Sequence, residues 1–114
     1  MNYLSHYYFD RDENNKYYNL GLILPDLARA HIAKLRINPY KNITFTTKEI
    51  SSINDGCNKH FASDRKFHNW MTFVELTNKA TDLIRESGDK DINRDYFITH
   101  IMVEILLDKI LQKL

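Results

Sequence analysis

The sequence predicts an all-α fold, a compact helical bundle that forms a single domain over residues 1–114. The chain has only three glycines and two prolines, and turn residues do not recur at the regular short spacing that is typical of β-sandwiches and barrels. Apolar residues recur instead at helical spacing in several long segments. A chain of 114 residues is long enough to bury one modest hydrophobic core.

The bulk composition excludes several classes of protein. Sixteen basic and 15 acidic residues leave a net charge of +1, so no overall attraction to nucleic acid exists and no nucleic-acid partner is expected. Cys57 is the single cysteine, which excludes an intrachain disulfide and favours a reducing compartment. Because neither a signal-peptide pattern nor an apolar run of about 18 residues occurs, we expect a cytoplasmic protein without a membrane partner.

The first segment, residues 1–9, is almost wholly apolar or aromatic and contains His6. Its aromatic residues suit a strand as well as a helix, so the type of element is left open. A histidine in such surroundings is expected to turn inward, where its ring nitrogens need partners. His6 is therefore either a core histidine bonded to a backbone carbonyl or a functional residue. A polar loop is expected over residues 10–16.

The second segment, residues 17–32, presents a broad apolar surface that Asp26 interrupts directly after Pro25. Because proline cannot donate a backbone hydrogen bond, Pro25 is predicted either to start a helix or to kink one. Asp26 then lies at a local break, where its carboxylate either points toward an ion or caps a helix N-terminus. The following basic cluster is either a solvated face or a docking surface for an acidic partner. Its members are Arg29, His31, Lys34, Arg36 and Lys41.

A third helix is indicated by residues 46–49 (TTKE), which have the spacing of a capping box with Thr46 as the first residue. Gly56 lies in the middle of this helix and costs about 1 kcal/mol of helix stability relative to alanine. It therefore predicts a close helix contact or an approach of the backbone to a bound group. Cys57 beside it is expected to be a small packed residue rather than a nucleophile. The helix is expected to fray or bend between residues 63 and 69.

Three potential metal ligands, His60, Asp64 and His68, follow one another in steps of four on this helix. Neighbours in such a series share one face of a helix. On a straight helix, however, His60 and His68 lie about 12 Å apart along the axis, whereas two ligands of one ion are separated by roughly 4 Å. Four interpretations remain open: His60 and Asp64 form a pair completed by other segments, Asp64 bridges two ions, His68 faces a substrate, or the series is a solvated stripe.

Two further helices are predicted over residues 70–86 and 94–114, with a turn at residues 87–93 between them. The residues of the first that are expected to face inward are Phe73, Val74, Leu76, Ala80, Leu83 and Ile84. Apolar residues wrap most of the circumference of the last helix, which predicts that it is largely buried. A polar stripe of His100, Glu104 and Asp108 runs through this surface. On a buried helix such a stripe requires partners or a metal; on an exposed edge it requires neither.

Four segments of the chain match short patterns in a fixed order. The first two patterns are M-N-[FY]-L-x-H, which is similar to MNYLSHYYF, and G-N-L-L-x-D-F, which is similar to NLGLILPDLARA. The third pattern, G-x-x-x-H-x-x-x-D, matches GCNKHFASD. The fourth is a late helix with D-x-x-x-D, to which VEILLDKIL corresponds. With these segments the chain resembles, over nearly its whole length, the acyl carrier protein phosphodiesterase family (acyl carrier protein hydrolases). That family belongs to the HD-like metal-dependent phosphohydrolases, so the resemblance implies an HD-like helical fold.

The resemblance also implies a metal-centred site and assigns residues to it by position. The implied metal ligands are His6, Asp26, His60, Asp64, Glu104 and Asp108. The predicted catalytic residues are Asp26, His60 and Asp64 from this assignment, together with His68 and His100, which the resemblance does not assign. Of these, His68 or His100 would orient the attacking water or protonate the departing serine oxygen. Mn²⁺ is the expected ion, with Mg²⁺, Fe²⁺ or Zn²⁺ as alternatives.

The implied reaction is hydrolysis of the phosphodiester that joins 4′-phosphopantetheine to a serine of acyl carrier protein. Because such carrier proteins are acidic, the expected docking surface consists of Arg29, Lys34, Arg36 and Lys41. Two alternatives remain open, namely a metal-dependent hydrolase of a nucleotide or other small phosphate ester, and a non-catalytic helical binding module. A homodimer is a further expectation.

The sequence departs from the family pattern at three places. Tyr18 replaces the glycine that the family has before Asn19, and His68 falls where the family usually has an acidic residue. The chain also ends at Leu114, short of the usual family length. This length leads to the expectation of a chain truncated at its C-terminus.

Overall fold

The structure is all-α, which confirms the predicted fold class. A computed structural model of the chain describes residues 3–31, 47–88 and 92–114. Within these ranges lie five helices and no strand. The helices are α1 (Tyr3–Asp10), α2 (Lys16–His31), α3 (Lys48–His68), α4 (Met71–Glu86) and α5 (Ile92–Leu111). None of these helices is long and apolar enough to cross a membrane.

The chain divides into two compact units, Met1–Arg65 and Lys66–Leu114. The first contains α1, α2 and most of α3, and α1 packs against α2 within it. The second contains the last residues of α3 together with α4 and α5, which pack against each other. Since one domain can itself consist of two compact units, the predicted single domain stays a prediction.

The first segment forms a helix, α1. The polar loop that follows is hydrogen-bonded to the start of α2. The backbone N–H of Asp12 donates to Oδ1 of Asn19 at 2.8 Å, and Nδ2 of Asn19 donates to the Asp12 carbonyl at 2.7 Å. Asn15 precedes the first residue of α2, and its Oδ1 accepts the N–H of Tyr18 at 3.1 Å. This bond satisfies an N–H that has no partner within the helix, so Asn15 is the N-cap of α2.

Pro25 lies inside α2, which runs without interruption from Lys16 to His31. The predicted helix start at Pro25 is therefore wrong, and so is the alternative role of Asp26 as an N-terminal cap. A proline in a helix interior removes one backbone hydrogen bond, in this case the bond to the carbonyl of Gly21. The remaining bonds and the burial of Pro25 keep the helix continuous.

Two glycines allow α2 and α3 to cross at backbone contact in the first unit. A Cβ on Gly21 would collide with the carbonyl oxygen of Ile53 and lie 2.9 Å from the Cα of Gly56. A Cβ on Gly56 would collide with the carbonyl oxygen of Tyr18. The close helix contact predicted for Gly56 is thus confirmed. Beside it, the buried Cys57 is packed as predicted, and burial raises the pKa of its thiol to about 11.

The cap of α3 lies one residue later than the capping box predicts. Thr47 precedes the first helical residue, Lys48, and its Oγ1 accepts the N–H of Ile50 at 3.2 Å. Thr46, the predicted cap, lies outside the described residues. At the other end, the helix continues through the interval where fraying or bending was expected and ends at His68.

Threonines contribute hydrogen bonds to the contact between α4 and α5. Thr81 and Thr99 share a hydrogen bond between their hydroxyls at 2.7 Å. Thr77 donates to the carbonyl of Phe73 and Thr81 to that of Thr77, at 2.8 and 2.7 Å. Because each hydroxyl is satisfied, a small polar side chain can be buried at little cost.

Several residues that were expected to face inward are exposed. On α4, Phe73 is buried as predicted, but Leu76 and Leu83 are 49% and 66% exposed. The prediction that α5 is largely buried is wrong. Exposed apolar residues of α5 are Tyr96, Phe97, Ile101, Met102, Ile105, Leu106 and Ile110. Among the described residues of its unit, α5 packs along α4 and meets the end of α3 at His68, which leaves much of its circumference uncovered.

Candidate metal centre

Four side chains from three helices come together in the first unit. His6 comes from α1, Asp26 from α2, and His60 and Asp64 from consecutive turns of α3. We call these four residues the first cluster. Nε2 of His6 lies 3.6 Å from Oδ1 of Asp64, and Nε2 of His60 lies 3.7 Å from Oδ1 of Asp26. The two imidazole rings stack with their centroids 3.8 Å apart.

The close crossing of α2 and α3 brings His60 to Asp26. His60 lies one turn after Gly56, and its Nδ1 lies 2.7 Å from the carbonyl oxygen of Leu22, the residue that follows Gly21. Asp26 lies one turn beyond Leu22 on the same helix. Larger residues in place of the glycines would separate the helices, so the backbone contact permits this reach.

A further pair of contacts joins α1 to α3 beside the first cluster. Oγ of Ser63 donates a hydrogen bond to Oδ2 of Asp10 at 2.6 Å, and Nζ of Lys59 lies 3.7 Å from Oδ1 of the same carboxylate. Asp10 lies one turn after His6 on α1, and side chains four residues apart share a helix face. These contacts therefore hold the face of α1 that carries His6 against α3.

The hydrogen bond to Leu22 determines the tautomer of His60. A carbonyl oxygen can only accept, so Nδ1 of His60 carries the proton. Burial lowers the pKa of His60 to about 4, with a further lowering from the neighbouring His6. The ring is consequently neutral at pH 7, and Nε2 presents a lone pair rather than a proton.

This lone pair faces a carboxylate. Nε2 of His60 and Oδ1 of Asp26 are 3.7 Å apart, which is longer than a hydrogen bond. Two acceptors in this arrangement suit a cation held between them, since ligand bonds of about 2 Å place neighbouring ligand atoms roughly 3 to 4 Å apart. A metal-binding histidine also commonly donates its other ring N–H to a backbone carbonyl. The donor set of His6, Asp26 and His60, whose ligand atoms lie within 4.8 Å of one another, therefore fits a metal ion.

His6 supports the same interpretation through its burial. Its side chain is fully buried, and neither of its ring nitrogens has a hydrogen-bond partner among the described residues. A buried polar group without a hydrogen bond costs about 1 to 3 kcal/mol. A metal bond to one ring nitrogen would offset this cost. The alternative of a core histidine bonded to a backbone carbonyl does not describe His6, but that carbonyl bond is found at His60 instead.

The two carboxylates of the first cluster are the members that solvent reaches. The side chains of Asp26 and Asp64 are 26% and 31% exposed, while His60 is almost fully buried. Imidazoles at the bottom and carboxylates at the edge leave the accessible side of the cluster rich in oxygen. This side is where water and a polar ligand can approach.

A second group of metal-ligand side chains lies in the second unit. It consists of His68 at the end of α3 together with His100 and Glu104 on α5, and we call it the second cluster. Nε2 of His68 lies 3.0 Å from Oε1 of Glu104, and Nε2 of His100 lies 3.4 Å from the same oxygen. The ring of Phe73 packs beside both histidines, with centroid separations of 5.5 and 5.0 Å.

Two effects on the carboxyl group of Glu104 oppose each other. Burial raises its pKa, whereas the hydrogen bond to His68 and the nearby His100 are among the interactions that lower it. The lowering effects are larger in sum, so the pKa of Glu104 falls below its ordinary value. Glu104 is therefore ionised at pH 7 and available as an oxygen ligand.

The implied ligand set is thus found in two groups. His6, Asp26, His60 and Asp64 meet in the first cluster, and Glu104 contacts His68 and His100 in the second. Asp108 lies one turn after Glu104 on α5 and is half-buried. That Glu104 and Asp108 complete a site with the first cluster stays a prediction. The alternative that treated the histidine series as a solvated stripe fails at His60, which is buried.

Other functional predictions are met only in part by the described residues. Arg29 and His31 are exposed at the end of α2, while Lys34, Arg36 and Lys41 lie outside the described residues. The fully buried Asp95, in the first turn of α5, was not anticipated, because a charged residue at a helix start ordinarily indicates an exposed end.

Comparison of the chain with protein-family models, with curated proteins and with solved structures found no match.

Proposed function

We propose that the protein is a metal-dependent phosphoester hydrolase with the first cluster as its metal centre. The observation that carries this proposal is the protonation of His60. Its Nδ1–H is committed to the carbonyl of Leu22, so the Nε2 lone pair is directed at the carboxylate of Asp26. A cation between these two atoms would bind both of them.

The donor set narrows the choice of metal. Two imidazoles favour transition metals, whereas two carboxylates also suit Mn²⁺ and Mg²⁺. As ligands, two carboxylates balance the charge of one divalent ion, and imidazoles add no charge. Mn²⁺ is the expected ion, and Fe²⁺, Zn²⁺ and Mg²⁺ are alternatives. When bound, such an ion would polarise a phosphoryl oxygen and lower the pKa of a water molecule.

The chain's own residues supply the rest of the proposed chemistry. The buried imidazoles of His6 and His60 would exclude water from one side of a bound ion. Asp26 and Asp64, being partly exposed, are positioned to accept a hydrogen bond from the attacking water and to orient it toward phosphorus. The role of His68 or His100 as proton donor to the leaving oxygen stays a prediction from the sequence, and the metal centre does not require it.

The proposed substrate is the phosphopantetheine ester of an acidic carrier protein, and this part rests on the family resemblance. Arg29 is exposed at the end of α2, three residues after Asp26. A basic side chain so near the metal centre suits an acidic partner. Lys34, Arg36 and Lys41 complete the proposed docking surface.

Metal content and hydrolysis measured together test the proposal. Full-length protein supplied with Mn²⁺ is expected to retain about one equivalent in the first cluster and to hydrolyse holo acyl carrier protein. His60→Ala and Asp26→Asn should each lose that metal and the activity, because the first removes a ligand atom and the second replaces a charged carboxylate with a neutral, weaker amide ligand. His31→Ala is the matched control, since His31 is exposed and belongs to neither cluster.

The outcomes separate the rival functions. Activity on bis(p-nitrophenyl) phosphate without activity on holo carrier protein would replace the proposed substrate with a small phosphate ester. Equal metal content in wild type, His60→Ala and Asp26→Asn would contradict the metal centre.

A second candidate function, a non-catalytic helical binding module, is favoured by an apolar groove in the second unit. Its cavity volume is about 360 Å³, and α4 and α5 contribute most of its walls. Wall residues include Trp70, Leu76, Ala80, Val103, Leu107 and Ile110. Absence of bound metal and of turnover in the wild-type protein would favour this function over hydrolysis.

A further inference from the structure

The second cluster joins two histidines and one carboxylate around a single point. His100 and Glu104 are four residues apart on α5, so their side chains share one face of the helix. His68 reaches the same place from the end of α3. Nε2 of each histidine approaches the same atom, Oε1 of Glu104, although a carboxylate offers two oxygens.

We propose that the second cluster is a transition-metal site of the two-histidine, one-glutamate type, independent of the first cluster. It would take Zn²⁺ or Co²⁺ through Nε2 of His68, Nε2 of His100 and a carboxylate oxygen of Glu104. Three protein ligands leave the fourth tetrahedral position to water or an exogenous ligand. The site goes beyond the proposed hydrolase function and does not depend on it.

The distances between ligand atoms support this assignment. Bonds of 2.0 to 2.1 Å in a tetrahedral site place neighbouring ligand atoms about 3.3 Å apart. The measured separations from Oε1 of Glu104 are 3.0 Å to His68 and 3.4 Å to His100. All three ligand atoms lie within 4.8 Å of one another. Small side-chain rotations therefore suffice to arrange the three atoms around one ion.

The surroundings hold the ligands in place and leave them accessible. The ring of Phe73 packs beside both imidazoles, and the rings of His68 and His100 lie 4.6 Å apart. The side chain of Glu104 is 12% exposed, whereas those of His68 and His100 are 34% and 26% exposed. The carboxylate thus lies at the buried bottom of the site, and an ion can enter between the two histidines.

Metal binding by the full chain after complete metal removal tests the proposal. Zn²⁺ titration followed by calorimetry, with elemental analysis after desalting, is expected to give two equivalents for wild type and for the control His31→Ala. His100→Ala and Glu104→Gln should each bind one equivalent, because they disrupt only the second cluster. His60→Ala should also bind one equivalent, held by the second cluster.

Co²⁺ absorption identifies which site is retained. His60→Ala loaded with Co²⁺ is expected to show the intense visible bands of a tetrahedral centre, and adding Glu104→Gln to that variant should abolish them. Far-UV circular dichroism verifies folding, and Glu104→Gln preserves the side-chain volume if His100→Ala proves unstable.

The stoichiometries distinguish failure of this proposal from failure of the hydrolase proposal. Equal Zn²⁺ binding by wild type, His100→Ala and Glu104→Gln would overturn the second site, whatever the first cluster binds. The second site would be supported, and the proposed metal centre of the hydrolase contradicted, by one specific result. In that result His100→Ala and Glu104→Gln each lose one equivalent of Zn²⁺, whereas His60→Ala loses none. No Zn²⁺ bound by wild type would overturn both.

Discussion

His60 remains neutral in the folded protein because burial and the neighbouring His6 lower its pKa to about 4, from the ordinary value of 6.5. Between these two pKa values the unfolded chain binds a proton at this residue and the folded chain does not. The free energy of unfolding must therefore fall as the pH falls from 6.5 toward 4. Above pH 6.5 this contribution is fully present.

We predict that metal-free protein loses about 3 kcal/mol of stability over this pH window through His60 alone. Urea unfolding at pH 7.5 and at pH 5 measures most of the loss. His60→Asn, which keeps a side-chain amide donor near Leu22, should have lower stability at pH 7.5 and a weaker dependence on pH. A pH dependence as steep in His60→Asn as in wild type would show that other groups cause it. His31→Ala should behave as wild type, because His31 is exposed.

The crossing of α2 and α3 depends on Gly21 and Gly56 more than on any large side chain. A methyl group at Gly21 would meet the backbone of Ile53 and of Cys57 as well as Gly56, and backbone atoms cannot rotate away as side chains do. Alanine improves helix propensity by about 1 kcal/mol over glycine. Forcing the helices apart is expected to cost more than that gain.

We predict that Gly21→Ala lowers the free energy of unfolding by about 2 kcal/mol or more, despite its better helix propensity. The same change should weaken metal binding by the first cluster, because His60 would move away from Leu22. Chemical denaturation and Mn²⁺ titration measure the two effects. Gly88→Ala provides the contrast: no atom lies within 4 Å of its Cβ position, so only the strain of its φ of 108° is added, and metal binding should be unchanged. Unaltered stability in Gly21→Ala would mean that the crossing tolerates a wider spacing.

Element boundaries and element type were largely predictable from local patterns. The apolar periods of α3, α4 and α5 placed these helices within a few residues of their observed bounds. The buried face of α4 was not predictable in the same way. Leu83 was expected to face inward but is exposed, whereas Thr81 is buried. A hydropathy pattern treats threonine as polar, whereas a threonine that bonds to its own helix backbone can be buried.

The second unit leaves an unusually apolar surface on α5. Seven large apolar residues of this helix are more than one-third exposed, among them Leu106 and Ile110, which are 54% and 59% exposed. Extended apolar surface of this kind ordinarily marks an interaction site. The expectation of a homodimer from the sequence is consistent with this surface.

We predict that the purified protein associates with itself in a concentration-dependent manner through α5. Leu106→Lys combined with Ile110→Lys should shift the distribution toward monomer in sedimentation velocity, since charges in an apolar contact are costly. The control is Ile50→Lys, an exposed apolar position at the start of α3 in the first unit. A wild-type protein that stays monomeric at all concentrations would contradict the prediction, as would equal effects of the two variants.

The sequence by itself determined the all-α class, the approximate helices and the inward position of His6, because each follows from local spacing and residue type. At Gly56 it offered the close helix contact as one of two alternatives. It also singled out His60 and Asp64 as a pair that needs ligands from other segments. The family resemblance had placed His6 and Asp26 in one site with this pair. Only the tertiary structure decided that these four side chains meet and that Glu104 lies with His68 and His100.

The physical reason is that a helical repeat indicates which residues share a face but not what lies opposite that face. The meeting of His60 with Leu22 depends on where α2 crosses α3, and that crossing is set by two glycines 35 positions apart in the chain. The protonation of His60, on which the proposed metal centre depends, follows from that long-range contact. It could therefore be read only from the folded chain.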